Sequence, residues 1–158
     1  MLNPIPSPVP PNLFAFERDE FSDLNWMPLA FRYRLDVCGL KMGLASWLSL
    51  PFSERISLLG LSFGNENEQV IWAARLKSAM AVCGLGEPVD LERWVDPGTI
   101  PDDVKVKWME CSAEMDFKEW SRLKPIHRYA LCKLARGKQA DRYLIQAVLE
   151  FRGAFSRE

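Results

Sequence analysis

Histidine is almost absent from this chain. One imidazole, His127, occurs in 158 residues, so any mechanism that uses a histidine as a general base or beside a cysteine nucleophile depends on that residue alone. His127 precedes Arg128 in a basic stretch, which is typical of the exposed face of a helix. We therefore expect His127 on the surface and predict no catalytic residue.

The cysteines also lack a functional pattern. Cys38, Cys83, Cys111 and Cys132 include no C-x-x-C pair, whereas zinc and redox sites use closely spaced cysteines. We predict no metal site and no cofactor. Because no basic start is followed by an apolar signal region, we expect a cytoplasmic location with free thiols.

Three further absences argue against a membrane, a bound nucleotide and a nucleic acid as partners. No apolar run approaches the roughly 20 residues of a membrane-spanning helix. The segments GNENE and GLGEP match neither G-x-G-x-x-G nor G-x-x-x-x-G-K-[ST], so no phosphate-binding loop is predicted. The net charge of -1 leaves no surplus of Lys and Arg for a dedicated nucleic-acid binder. We predict neither a membrane nor a nucleic-acid partner.

Proline is concentrated at the start of the chain. Five prolines lie in NPIPSPVPP, and each fixes φ and removes a backbone donor, so residues 1–13 are predicted to form a flexible arm. Residues 14–158 are predicted to form a single helical domain. At its start, FAFERDEF alternates aromatic and acidic residues, which favours a short extended segment, with the beginning of a helix as the alternative.

Residues 27–80 and 100–153 repeat one pattern at a constant offset of 73 positions. They share eleven identical residues without a gap, where average composition gives about three. The identities in the first stretch are Pro28, Cys38, Met42, Trp47, Leu50, Arg55, Leu58, Leu61, Gly64, Ala74 and Leu76. No run of β-branched residues alternates as a strand does. We predict an all-α fold, a compact helical bundle built from two similar three-helix units in tandem.

The first unit opens with PLAFRYRLDVC, which is predicted to be a helix from Pro28 that stops before Gly39. Arg32 and Asp36 are predicted to turn outward from it. The predicted buried stripe consists of Met27, Phe31, Leu35 and Cys38.

The remaining elements follow from the same repeat. In each unit a short helical turn carries a tryptophan, Trp47 in the first and Trp120 in the second. We expect each indole to be buried where the helices of its unit meet. The third helices are predicted over residues 66–83 and 139–152. The loop between the units is predicted to hold at most one helical turn, near residues 91–94.

Several charged and aromatic residues allow two interpretations. Arg55 and Arg128 occupy matching positions, and each either covers the Trp of its own unit or contacts an anion or a partner. The early aromatic residues either dock onto the core of the protein or contact a partner. The predicted partner-binding residues are Phe14, Phe16, Phe21, Arg122 and Arg128.

Three segments carry a resemblance to a known family. FAFERDEF, MPLAFRYRLDVCGLKMGLASWLSL and EWSRLKPIHRYALCKLA are similar to the segments that mark the nitrate reductase associated proteins, small cytoplasmic proteins of cyanobacteria and some proteobacteria. The likeness covers roughly residues 14–151. It implies a non-catalytic accessory protein of a molybdopterin-dependent assimilatory nitrate reductase, acting as an assembly or maturation factor or as a small subunit.

Two alternatives belong to other functional classes. Short helices joined by tight turns also occur in helical DNA- or RNA-binding regulators, although the acidic pI of 5.9 counts against them. A small Cys- or His-dependent enzyme is the other alternative, and it requires His127 or one of the cysteines to be reactive.

Overall fold

The computed structural model describes residues 10–80, 97–110, 117–137 and 140–155, except for the side chains of residues 19–21, 140–141 and 154–155. Within these ranges the chain forms helices and no strand, so the predicted all-α class is confirmed. The helices are α1 (Ala15–Phe21), α2 (Leu29–Val37), α3 (Leu44–Ser49), α4 (Phe52–Gly60), α5 (Glu66–Ala79), α6 (Asp102–Glu110), α7 (Phe117–Arg122), α8 (Pro125–Arg136) and α9 (Ala140–Phe155).

The ends of α2 follow from local sequence. Pro28 lies immediately before the helix, with φ -63° and ψ 153°. The helix therefore begins one residue later than predicted. At the other end Gly39 has a φ of 65° and donates its N–H to the carbonyl of Asp36, while Leu40 donates to Leu35. These two bonds form a Schellman motif, whose left-handed residue is usually glycine. The predicted stop at Gly39 is therefore confirmed.

The third helices match their predicted starts within one residue. α5 begins at Glu66, and the side chain of Asn65 caps it by accepting the N–H of Glu68 at 3.0 Å. α9 begins at Ala140, one residue after the predicted start. The predicted helical turn over residues 91–94 lies outside the described residues.

The segment after Phe14 is the helix α1, Ala15–Phe21, so its interpretation as an extended segment is wrong and the alternative of a helix start is confirmed. The carboxylate of Glu17 accepts the N–H of Phe14, just before α1, at 3.3 Å. The same carboxylate accepts the N–H of Leu29, at the start of α2, at 3.0 Å. One buried side chain thus satisfies donors at two helix starts. Alternation of aromatic and acidic residues does not reveal this contact.

The predicted arm lies partly within the described residues. Residues 1–9 are outside them. Leu13 is buried in the core, and the side-chain amide of Asn12 donates to the carbonyl of Leu59 at 2.6 Å. The end of the predicted arm is therefore packed, while the division into 1–13 and 14–158 stays a prediction.

The buried side chains form two clusters. The first core surrounds Trp47 and Trp72 and draws on α2 to α5. The second core surrounds Trp120 and Tyr129 and draws on α6 to α9. Trp47 and Trp120 are both fully buried, as the sequence predicts.

α2 lies between these two cores. Its Leu29 belongs to the second core, whereas Phe31 and Leu35 belong to the first. The ring of Tyr33 lies 5.5 Å from that of Tyr129 on α8. α2 is consequently covered on more than one side, and α8 is its neighbour from the other half of the chain.

Helix starts follow the predicted repeat. α2, α3 and α4 begin at Leu29, Leu44 and Phe52, while α6, α7 and α8 begin 73 positions later, at Asp102, Phe117 and Pro125. Some of the matching side chains, such as Trp47 and Trp120, have different partners in the two halves. The tandem of two similar three-helix units stays a prediction.

Candidate functional site

A cleft of about 300 Å³ opens between α2 and α8. α2 and the loop before it provide one wall, and α8 provides the facing one. The loop after α2 and the start of α3 complete the rim. The cleft therefore combines side chains from both halves of the chain.

The polar base of the cleft is centred on Asp36. Its carboxylate is buried and accepts the hydroxyl of Tyr129 at 2.7 Å. The ammonium of Lys133 lies 3.6 Å from the same oxygen, Oδ2, and 5.4 Å from the centre of the Tyr129 ring. Asp36 was predicted to turn outward, and this prediction is wrong because α8 covers that face of α2.

Tyr129 remains a hydrogen-bond donor at the base of the cleft. Burial is the largest cause that raises the pKa of its hydroxyl, and the hydrogen bond to Asp36 and the negative charge of that residue raise it further. The phenol therefore stays protonated at neutral pH, and Asp36 keeps its acceptor role.

The rim of the cleft carries more positive than negative charge. Arg32 and Lys41 line it with exposed side chains, and Lys133 adds a third cation. Among the described residues that line the cleft, Asp36 is the one carboxylate. The cleft thus presents three basic groups against a single acidic group that already has partners.

The rest of the lining is apolar. Met27, Leu35 and Leu40 are buried beneath the cleft, whereas Trp26 and Leu44 stand on its rim with 54% and 37% of their surfaces exposed. A large exposed indole beside cations is a suitable contact for a ligand with an apolar part and an anionic part.

Sequence reasoning missed this site, although two signals for it exist. α2 carries apolar residues around much of its circumference, including Leu29, Phe31 and Tyr33, and such a helix is buried on several sides. On α8, Tyr129 and Lys133 lie four residues apart and therefore share one face. These patterns indicate a helix that is covered on several sides and a polar face on α8, but they neither pair the two helices nor identify Asp36 as the contact.

The predicted aromatic contacts pack against the second core. The rings of Phe14 and Phe16 stack at 5.5 Å, and Phe14 meets Phe151 edge-on at 5.3 Å. Phe16 lies 6.3 Å from Tyr143. This packing favours docking onto the protein's own core. Phe21 ends α1, and its side chain lies outside the described residues. Partner binding by these residues stays a prediction.

The two matching arginines both donate to backbone carbonyls. The guanidinium of Arg55 donates to the carbonyl of Leu50 at 2.9 Å and lies 5.7 Å from the Trp47 ring. Arg128 is buried and donates to the carbonyl of Leu123, the position that matches Leu50. These contacts favour the structural interpretation of both residues.

Arg122, the other basic residue in the predicted contact set, has an exposed side chain at the end of α7. It is accessible to a partner. The partner role of Arg122 and of Arg128 stays a prediction.

His127 is half-buried, so its predicted place on an exposed face is wrong. Its ring stacks on that of Phe151 at 4.3 Å and lies 6.0 Å from Phe14. α1 and α9 cover this position, which the local sequence does not indicate. Burial is the main cause that lowers the pKa of His127 to about 4, and the charges of Lys124 and Arg128 lower it further. At neutral pH the imidazole is an unprotonated and weak base.

Cysteine chemistry is also limited in the described part of the chain. The thiol of Cys38 is half-buried and donates to the carbonyl of Gln69 at 3.7 Å, and burial is the main cause that raises its pKa. Cys132 is buried, and both residues are thiols. A thiol with a raised pKa is mostly protonated and a poor nucleophile. Cys83 and Cys111 lie outside the described residues.

The described residues contain neither a candidate metal site nor a candidate membrane-spanning helix. Those residues include no group of three His, Cys, Asp or Glu side chains placed to hold a metal ion. None of the helices in these ranges is long and apolar enough to cross a bilayer.

Comparison with known proteins gives a family for this chain. A family model described as conserved nitrate reductase-associated protein matches residues 13–151, which include α1 and both cores. No curated protein and no solved structure matches the chain. The match extends over most of the sequence and agrees with the resemblance of its three marker segments. The chain therefore belongs to the family of conserved nitrate reductase-associated proteins.

Proposed function

We propose that this protein is a non-catalytic accessory protein of a molybdopterin-dependent assimilatory nitrate reductase. It binds the reductase polypeptide and acts either as an assembly or maturation factor or as a small subunit. The family match over residues 13–151 is the observation that carries this proposal, because the family is described by its association with nitrate reductase.

The environment of the single imidazole supports a non-catalytic role. His127 stacks on Phe151 and has a pKa lowered to about 4, far from the near-neutral value that suits a general base. The thiol of Cys38 has a raised pKa. Neither of these two side chains, His127 and Cys38, is therefore suited to act as a general base or nucleophile at neutral pH.

A binding experiment with purified proteins tests the association. The tagged full-length chain is immobilised, and assimilatory nitrate reductase from the same organism is passed over it. We expect saturable binding that survives extensive washing. Absence of binding at micromolar reductase, to both its cofactor-free and its cofactor-loaded forms, would contradict the proposal.

A deletion strain separates the two forms of the proposal. Without this protein we expect less nitrate reductase activity per reductase polypeptide, measured by immunoblot and enzyme assay on the same extract. A small subunit remains in the active enzyme at constant stoichiometry, whereas an assembly factor binds the immature form and is absent from the finished one. Full specific activity in the deletion strain would contradict both forms.

A further inference from the structure

The cleft between α2 and α8 has the composition of a peptide-binding site rather than that of a packing defect. It is lined by an accessible indole, Trp26, and by the basic side chains of Arg32 and Lys41. An exposed aromatic residue of this size is a common anchor in protein interfaces. Its apolar floor, which includes Leu35 and Leu40, belongs to the first core.

The charge of the cleft selects the kind of ligand. Lys133 and Tyr129 already engage Asp36, the single carboxylate among the described lining residues. The surplus positive charge of the rim attracts an anionic group, and opposite charges across an interface set both orientation and rate of association. A basic ligand meets repulsion from the same residues.

The size of the cleft limits the ligand further. At about 300 Å³ it lies at the small end of ligand sites, which span about 300–1,000 Å³. One large apolar side chain with a neighbouring carboxylate fits this volume and this lining. The rim is also open, so the chain that carries these side chains can continue past the cleft on either side.

We propose that this cleft binds an acidic segment of the nitrate reductase polypeptide, with an apolar side chain of that segment against Trp26 and its carboxylates near Arg32 and Lys41. This inference rests on the proposed association with the reductase. It adds the surface that is used and the chemistry of the partner segment, neither of which the family description gives.

Charge reversal at the rim tests the proposal directly. In the cleft variant, Arg32→Glu and Lys41→Glu are combined, since both side chains are exposed. The matched control combines Lys105→Glu and Lys118→Glu, two exposed basic residues on α6 and α7, which change the net charge by the same amount. Circular dichroism and thermal melting establish that both variants are folded.

Binding is measured with the purified reductase and the full-length chain at about 0.15 M salt, where surface charges remain effective over about 8 Å. We expect the cleft variant to bind at least about tenfold more weakly, a change of 1.4 kcal/mol by the usual conversion, and the control to stay within about twofold of the wild type. Equal weakening of both variants, or of the control alone, would overturn the proposal.

The contribution of Trp26, on the apolar part of the cleft, is measured separately. Trp26→Ala removes an exposed ring, and we expect it to weaken binding without lowering the melting temperature. Reductase binding should also reduce acrylamide quenching of tryptophan fluorescence more in the wild type than in Trp26→Phe, because only the wild type has an indole at position 26. Protection that is the same in both proteins would exclude Trp26 from the interface.

The outcomes distinguish this inference from the proposed function. If the wild type binds the reductase and the cleft variant binds it equally well, the association stands and the cleft is not its surface. If the wild type does not bind, both proposals fail together. If binding is lost only in the cleft variant and in Trp26→Ala, both proposals are supported.

Discussion

Trp47 and Trp120 occupy matching positions in the two halves of the molecule, yet their surroundings differ. Both indoles are fully buried. Nε1 of Trp47 donates to the carbonyl of Leu24 at 2.8 Å, whereas Nε1 of Trp120 meets no acceptor among the described residues. The apolar role of the position is therefore common to both halves, while its polar contact depends on the loop that happens to lie beside it.

A second matching pair shows the same principle. Glu54 forms an ion pair with Arg75, with 2.9 Å between Nη2 and Oε1. The positions 73 residues later hold His127 and Val148, and there α1 and α9 surround the imidazole with aromatic rings. A surface ion pair in one half thus corresponds to a half-buried histidine and a buried valine in the other, where α1 packs against α9.

The largest expected effect concerns what the two halves have in common. Trp47→Ala and Trp120→Ala should each destabilise the protein by about 3–5 kcal/mol, since each removes a fully buried aromatic side chain. Urea unfolding followed by circular dichroism measures both values. A loss below about 1 kcal/mol at either site would mean that the burial described here does not contribute to stability at that position.

The next effect is a pH dependence that arises from Glu17, whose side chain links α1 to the start of α2. Burial is the main cause that raises the pKa of Glu17 from 4.5 to about 7. Between these values the folded protein holds a proton that the unfolded chain has released. Stability is therefore highest below pH 4.5 and falls as the pH rises towards 7, by about 3 kcal/mol for this group. Glu17→Gln should remove this dependence.

His127 has the opposite effect on how stability depends on pH, and it therefore provides a control. Its pKa is lowered from 6.5 to about 4 in the folded state, so its contribution is lost as the pH falls through this range. The two groups partly cancel in the wild type. Urea unfolding from pH 4 to pH 8 should show a steeper decline of stability with pH in His127→Gln than in the wild type. A pH profile that is unchanged in Glu17→Gln would contradict the assignment.

A smaller effect tests the difference between the indoles. Trp47→Phe loses the hydrogen bond to Leu24, which is worth about 0.5–1.5 kcal/mol, whereas Trp120→Phe removes a buried donor that lacks a described acceptor. We expect the loss of stability at position 47 to exceed that at position 120 by about 1–2 kcal/mol in the same urea assay. The reverse order would show that the polar contacts do not distinguish the two sites.

Much of the fold can be predicted from local sequence. Pro28, Gly39 and Asn65 determine helix ends through the conformations and hydrogen bonds of single residues, and the spacing of Trp47 and Trp120 correctly predicts their burial. What sequence does not give is how one element covers another. Asp36 is covered by α8, and His127 is covered by α9 and by the start of α1. None of these contacts joins residues that are neighbours in the chain. The cleft arises at such a contact, which is why its residues were not predicted.

The smallest expected effect compares two matching positions, Arg75 in the first half and Val148 in the second. Arg75 is 47% exposed at its side chain, and exposed ion pairs contribute about 0.2–1 kcal/mol, so Arg75→Ala should change stability by less than about 1 kcal/mol. Val148, its counterpart, is buried, and Val148→Ala removes two methyl groups at about 0.8 kcal/mol each, or about 2 kcal/mol. Both are measured by urea unfolding at pH 7. A larger loss for Arg75→Ala than for Val148→Ala would contradict the conclusion that burial, rather than charge, distinguishes this position in the two halves.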